Sequence, residues 1–162
     1  MNPTPRWSPS TTVAAVIERD GRYLLVEENT PEGLKLNNPA GHLEPAETPA
    51  EGVMREALEE TARRFEPEAL VGVYLSRFQR PATGEDVTYL RFAYAGTVGE
   101  RLAGRALDAG IHRTLWLTPE EMRAESARMR SPLVLRCLED HLAGRRFPLD
   151  LVSTDPSVYR RD

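Results

Sequence analysis

The chain has 162 residues, of which 40% are hydrophobic and 28% charged, and its formal net charge is −4. That length suits one domain with a sizeable core, expected to span residues 1–162 with its ordered part at about 10–150. The negative balance excludes general affinity for nucleic-acid polymers, and no apolar run approaches the eighteen or so residues of a membrane span.

In chain order, residues 1–9 carry prolines and read as a loose arm without the apolar core of a signal peptide, so a cytoplasmic protein is expected. Thr11–Glu18 and Arg22–Glu28 are rich in β-formers, and Asp20-Gly21 between them is a hairpin signal. Asn29–Lys35, with Pro31 and Gly33, reads as a loop, and Leu36–Pro39 as a short extended piece. Thr48-Pro49-Ala50-Glu51 is a capping box with Pro at the first helical position, so a helix begins at about Thr48. Glu56, Glu59 and Glu60 fall on one face of it, while Val53, Met54, Ala57, Leu58 and Phe65 gather on the other. With no glycine to stop it, the helix is expected to run past Ala62 for about a turn, towards Phe65 and Pro67.

Beyond it, Ala69–Phe78 and Val87–Val98 are strand-like and separated by a longer hairpin loop, Gln79–Asp86. Gly99–Gly110 reads as a surface loop and Ile111–Leu117 as a strand. Thr118-Pro119-Glu120-Glu121 is a second capping box, and Ser131-Pro132 opens a third helix that stops at Gly144. On that helix Cys137, the only cysteine, sits among Leu133, Val134, Leu138 and Leu142 and reads as a packed thiol. His141 reads as exposed. Helices scattered among mixed, mostly antiparallel strands exclude the doubly wound pattern, and no glycine-rich phosphate loop is present. The fold class is α/β in the broad sense, more narrowly α+β.

Three carboxylates on one helix face repel one another, by a few tenths of a kcal/mol per close pair. Solvated neighbours could relieve them, with Arg63 and Arg64 answering Glu59 and Glu60, and Glu51 answering Arg55. The longer spacing points elsewhere. Gly41, five residues, Glu47, seven residues and then Arg55-Glu56-Ala57-Leu58-Glu59-Glu60 resembles the Nudix box, the signature of hydrolases that cleave diphosphates linked to another moiety. The pattern normally closes with Gly and an aliphatic residue, where this chain has Ala62 and Arg63.

The resemblance covers roughly residues 10–150 and implies a mixed sheet sandwiched between helices. It implies a Mg²⁺ site, with Mn²⁺ as a substitute, made by Glu56, Glu59 and Glu60 with the main-chain carbonyl of Gly41. Glu56 is also the candidate base, and Arg55, paired with Glu47, orients the loop against the helix. Many members add an acid about six residues before a Trp. Counting back from Trp116 gives Gly110, so the helix-borne acids would carry most of the metal binding unless the loop folds inward and brings Asp108 or His112 to them.

Outside the box, Arg91 is a phosphate contact if it faces the cleft and a solvated strand residue otherwise. His42 either meets a phosphate or holds the loop, and Tyr23 and Tyr89 either stack on a base or pack in the sheet. Asn38–Glu44, Leu90-Arg91-Phe92, Arg130–Val134 and Gly144–Asp150 resemble the NudJ group of bacterial Nudix phosphatases; Leu36 replaces an aromatic that the group carries near the cleft. That resemblance implies release of phosphate from nucleoside tri- and diphosphates, and from hydroxymethylpyrimidine pyrophosphate and thiamine pyrophosphate. The alternatives are a pyrophosphohydrolase of ADP-ribose, dinucleoside polyphosphates or sugar nucleotides, and a non-catalytic nucleotide sensor. The implied partner is a small phosphorylated substrate, with no nucleic-acid polymer or membrane, and the protein is expected as monomer or homodimer.

Overall fold

Alternation decides the frame of the molecule, seen in a computed structural model that describes residues 2–160. In the first strand, β1 (Ser10–Arg19), Val13, Ala15 and Ile17 point to one face of the sheet and Val16 to the other, and all four are buried. Such two-sided burial requires cover on both faces. The Asp20-Gly21 turn returns the chain as β2 (Arg22–Thr30), with Asp20 and Gly21 both at positive φ.

The segment read as a loop is instead a tight hairpin. β2 runs on to Thr30 and β3 (Gly33–Asn37) pairs back on it antiparallel, with the Thr30 hydroxyl donating to the Gly33 carbonyl. The glycine at φ 100 supplies the turn. A three-residue strand, β4 (Ala40–His42), then pairs antiparallel with β1. The remaining strands are β5 (Phe65–Gln79), β6 (Asp86–Val98) and β7 (Ile111–Leu117). The sheet order is β3-β2-β1-β6-β5, with β4 beside β1 and β7 beside β2; β1 and β6 are parallel and the other pairs antiparallel.

Helix α1 (Pro49–Thr61) covers one face through Val53 and Ala57, which pack with Val13, Leu24 and Tyr94. Helix α3 (Leu133–Leu142) covers the other through Val134, Cys137 and Leu138, joined by Met122 of the short α2 (Pro119–Ala124). The expected sandwich is therefore present, and Cys137 is fully buried as a packed thiol. No helix among the described residues is long and apolar enough to cross a membrane.

Three local expectations need correction. Helix α1 does not run on towards Phe65: it ends at Thr61, and Ala62 adopts the left-handed conformation at φ 55 that a glycine would ordinarily hold. Ala62 is fully buried, and its N–H and carbonyl are both bonded, to the Leu58 carbonyl and the Leu102 N–H; these tertiary contacts outweigh the steric cost of a β-carbon there. Met54 is 44% exposed rather than core. His141 is half-buried, its Nδ1 2.6 Å from the Tyr23 hydroxyl, and burial pushes its pKa down to about 4. Both β5 and β6 are longer than their sequence patterns suggest, and the third helix stops before Gly144 as expected.

Candidate active site

The capping box at Thr48 places the acids of α1. Its hydroxyl accepts from the Glu51 N–H at 3.0 Å while Glu51 accepts from the Thr48 N–H, so the helix phase is set from its first residue. In that phase Glu56 and Glu60 lie on the shoulder of the buried face, with Val53 and Ala57, and not on an outward strip. Both are buried against β4. The Ala40 N–H donates to Glu60 Oε1 at 2.7 Å, and a β-carbon at Gly41 would stand 2.2 Å from the Glu56 carboxyl carbon. Only glycine lets this strand lie so close to the acid.

The two buried acids have different neighbours. Glu60 has that one backbone donor, with Glu28, Glu56 and Asp108 nearby, and burial pushes its pKa up to about 9. Glu56 is also raised by burial, but Arg55 opposes the rise, donating from Nη1 to Glu56 Oε1 at 2.8 Å. Arg55 is the hub of the loop. It forks onto Glu47 at 3.0 and 2.8 Å, reaches Glu59 at 3.2 Å, and donates from Nη2 to the His42 carbonyl at 3.0 Å. The Arg55 guanidinium holds Glu47 below the usual carboxylate range. The expected Glu47–Arg55 pair is thus present. The alternative surface pairings are not: Glu51 is engaged in the cap and with the Tyr159 hydroxyl, and Arg63 binds the Gly99 carbonyl.

The Gly99–Gly110 loop folds inward. The Asp108 N–H donates to the Glu59 carbonyl at 2.9 Å, and oxygens of Asp108, Glu56 and Glu59 lie within 4.8 Å of one another. So the acid that the spacing seemed to lack is supplied two residues earlier than Gly110. His112 is exposed and approaches Glu27 instead. Three hard oxygen donors converging beside the buried Glu60, with Arg55 as their one close cation among the described residues, suit a divalent cation such as magnesium or manganese. Glu60, although buried next to them, is not one of the three.

A cavity of about 680 Å³ opens on the other side of β4. Its floor is the sheet: His42, Thr12 and Arg91 are register partners across β4, β1 and β6, and Tyr89 and Ser76 form the next row towards the rim. Its walls are the β2–β3 hairpin, the β5–β6 hairpin and the segment from Ser126 to Leu135. Arg80 ties the two hairpin tips together, donating to Glu32 at 2.7 Å and to Glu85 at 3.1 Å. The volume fits a small organic ligand rather than a polymer.

Both outer candidates, His42 and Arg91, therefore face the cavity, and so does Tyr89; Tyr23 is buried in the core. Leu36 is fully buried in the core as well, so Tyr89 and Phe78 provide the aromatic lining. Sequence reasoning passed over Asn37 and Asn38, whose side-chain oxygens each accept from Arg91 at 3.0 Å. They lie in the Asn38–Glu44 stretch or beside it, and that stretch was the only signal that could have found them. Glu28, bound to Arg130 at 3.1 Å, was also missed because it reads as an ordinary outward strand residue.

Residues 7–136 match the NUDIX domain model. The chain is 31% identical over 146 residues to phosphatase NudJ of Escherichia coli K12, covering 90% of this chain and 92% of that protein; the Shigella flexneri phosphatase NudJ matches to the same degree. A solved NUDIX hydrolase from Nitrosomonas europaea is 48% identical with a TM-score of 0.82, over 91% of this chain and 98% of that one. A UDP-X diphosphatase shares the fold at a TM-score of 0.67 and 18% identity, over 90% and 68% of the two chains. The acid-bearing helix behind a glycine strand, the inward loop and these likenesses lead to one conclusion: the chain belongs to the Nudix family of hydrolases.

Proposed function

We propose that the protein is a magnesium-dependent phosphatase of the NudJ type, a single domain over residues 1–162. Its substrates on this reading are nucleoside tri- and diphosphates and pyrophosphates of the thiamine pathway such as hydroxymethylpyrimidine pyrophosphate. The observation that carries the reading is the convergence of Glu56, Glu59 and Asp108 directly behind β4, whose other side faces a nucleotide-sized cavity. The likeness to phosphatase NudJ over nine-tenths of the chain supports the choice of reaction.

Glu56, Glu59 and Asp108 would hold the ion, with Glu60 and the Gly41 carbonyl alongside. Magnesium bound there neutralises phosphate charge and acidifies water. The protein's own residues then set the geometry. Arg55, fixed by the fork onto Glu47, keeps Glu56 and Glu59 in place and joins them to the His42 carbonyl, so helix and loop cannot drift apart. Glu56 is the candidate base: burial raises its affinity for a proton, and Glu56 Oε1 already accepts from Arg55, leaving Oε2 to receive it. His42 and Arg91 contact the substrate from the cavity floor.

The cavity volume also accommodates a larger ligand, which favours as second reading a pyrophosphohydrolase of ADP-ribose, dinucleoside polyphosphates or sugar nucleotides. One panel separates the two. Nucleoside triphosphates, hydroxymethylpyrimidine pyrophosphate and ADP-ribose are incubated with and without Mg²⁺, and the products are identified. Orthophosphate release from the first two, dependent on metal, is expected; nucleoside monophosphate with little orthophosphate would establish the second reading.

A further inference from the structure

Arg91 is a buried cation without an anionic partner among the described residues. Only 5% exposed, it has no carboxylate among the described residues in salt-bridge range. Its acceptors are neutral: Nη1 donates to Asn38 Oδ1 at 3.0 Å and to the Cys137 sulfur at 4.0 Å, and Nη2 to Asn37 Oδ1 at 3.0 Å. Burying an unpaired charge is costly, so a protein that keeps one ordinarily gives it a partner. The other arginines around the cavity have theirs: Arg77 with Asp86, Arg80 with Glu32 and Arg130 with Glu28. A guanidinium has five donors, and three bonds leave the Nε–H and one Nη2–H unused. Every fully buried side-chain nitrogen among the described residues has a partner, so the Nε that lacks one keeps some contact with solvent, and Arg91 is among the residues that line the cavity.

Position completes the case. The Arg91 guanidinium reaches back across β1 to Asn38, which lies two residues before Ala40, the donor to Glu60. The free fork therefore lies on the cavity side of the strand that has the acids behind it. Asn38 is itself 2% exposed, and the Asn37 amide donates to Glu28 at 3.2 Å, so both acceptors are held.

We propose that Arg91, positioned by Asn37 and Asn38, receives the phosphate that stays with the organic product. The inference rests on the phosphatase reading above and adds a direction to it. The organic end of the substrate lies in the cavity towards Tyr89, and the terminal phosphate extends past β4 to the carboxylates. The substrate class is an organic group bearing at least two consecutive phosphates. In the hydrolysis, a bond forms from the water oxygen to the terminal phosphorus and the bridging P–O bond breaks. The bridging oxygen keeps the electron pair and stays on the retained phosphate, where the new negative charge meets the guanidinium. One proton of the water leaves to a base and the other remains on the orthophosphate.

The test is a calorimetric titration of the full chain with AMP, and with adenosine, in EDTA so that no metal site contributes. AMP is expected to bind more tightly than adenosine by about tenfold or more, the size of a charge-assisted contact. Arg91→Gln should erase that difference and leave adenosine binding unchanged. Because Arg91→Gln risks misfolding, Asn38→Asp serves as a nearly isosteric second variant: it supplies the missing carboxylate and should erase the AMP preference with Arg91 still present. No AMP preference in the wild-type protein, or a preference retained in either variant with native circular dichroism, overturns the proposal. The substrate panel can fail independently, since AMP binding is read without turnover.

Discussion

Two glutamates are buried in this molecule to nearly the same depth and in opposite electrostatic company. Glu27 of β2, 2% exposed, lies between Arg113 and Arg128, and these partners hold its carboxyl below the usual range. Glu60 of α1, 7% exposed, has one backbone N–H and three other acids for neighbours, and its pKa is pushed up to about 9. The first is a finished structural contact, joining β2 to β7 and to the turn before Met129. The second has no cationic partner among the described residues, and on the proposed reading an ion held by its neighbours Glu56, Glu59 and Asp108 would supply one. Depth of burial alone does not set a carboxyl's proton affinity; the partners that answer its charge do.

The contrast breaks most visibly in activity. Glu60→Gln and Glu59→Gln should lower metal-dependent orthophosphate release by roughly a thousandfold, the scale of a lost transition-state charge contact, whereas Glu27→Gln should stay within a few-fold of wild type. Equal losses at Glu27 and Glu60 in steady-state assays would erase the distinction. Stability should move the other way. In metal-free buffer near neutral pH, Glu60→Gln removes a carboxyl that burial forces to take up a proton on folding, and should stabilise the fold by about 1–3 kcal/mol. Glu27→Gln strands two arginines that keep partial contact with water and should cost about 1–2 kcal/mol; denaturant melts of both variants give the signs.

The acid limb of stability is a finer probe. The folded pKa of Glu27 is depressed, so its contribution is fully present above its unfolded value of about 4.5. It is lost as pH falls through the lower folded value. Wild-type stability should therefore drop more steeply than that of Glu27→Gln as pH falls from that unfolded value through the folded one, as urea midpoints from about pH 6 downwards would show. The smallest effect belongs to Ala62→Gly. Relief of the left-handed strain at φ 55 should stabilise by about 0.5 kcal/mol, once the lost methyl burial is deducted from the roughly 1 kcal/mol gain.

What could be read in the sequence was whatever short-range chemistry decides. The capping boxes at Thr48 and Thr118 and the Asp20-Gly21 turn have causes within a few residues, and each stands where expected. The misreadings share another cause. Ala62 ends its helix because Leu102, forty residues on, claims its carbonyl, and β3 forms because β2 lies alongside to pair with it. Asp108 reaches the acids because its N–H meets the Glu59 carbonyl, which residue spacing alone could not reveal. Likewise the lack of a carboxylate partner for Arg91 among the described residues is visible only once the chain is folded.

The three-residue strand β4 has a consequence for how such a protein can change. Gly41 abuts Glu56 and Ala40 bonds Glu60 behind the strand, while His42 lines the cavity in front of it. A substitution in β4 thus disturbs acid and cavity together, and selection should tolerate almost none. The hairpin tips around Glu32 and Arg80 touch only the cavity rim. They form an evolutionary dial: new substrates can be sampled there one residue at a time, with the chemistry behind the partition inherited intact.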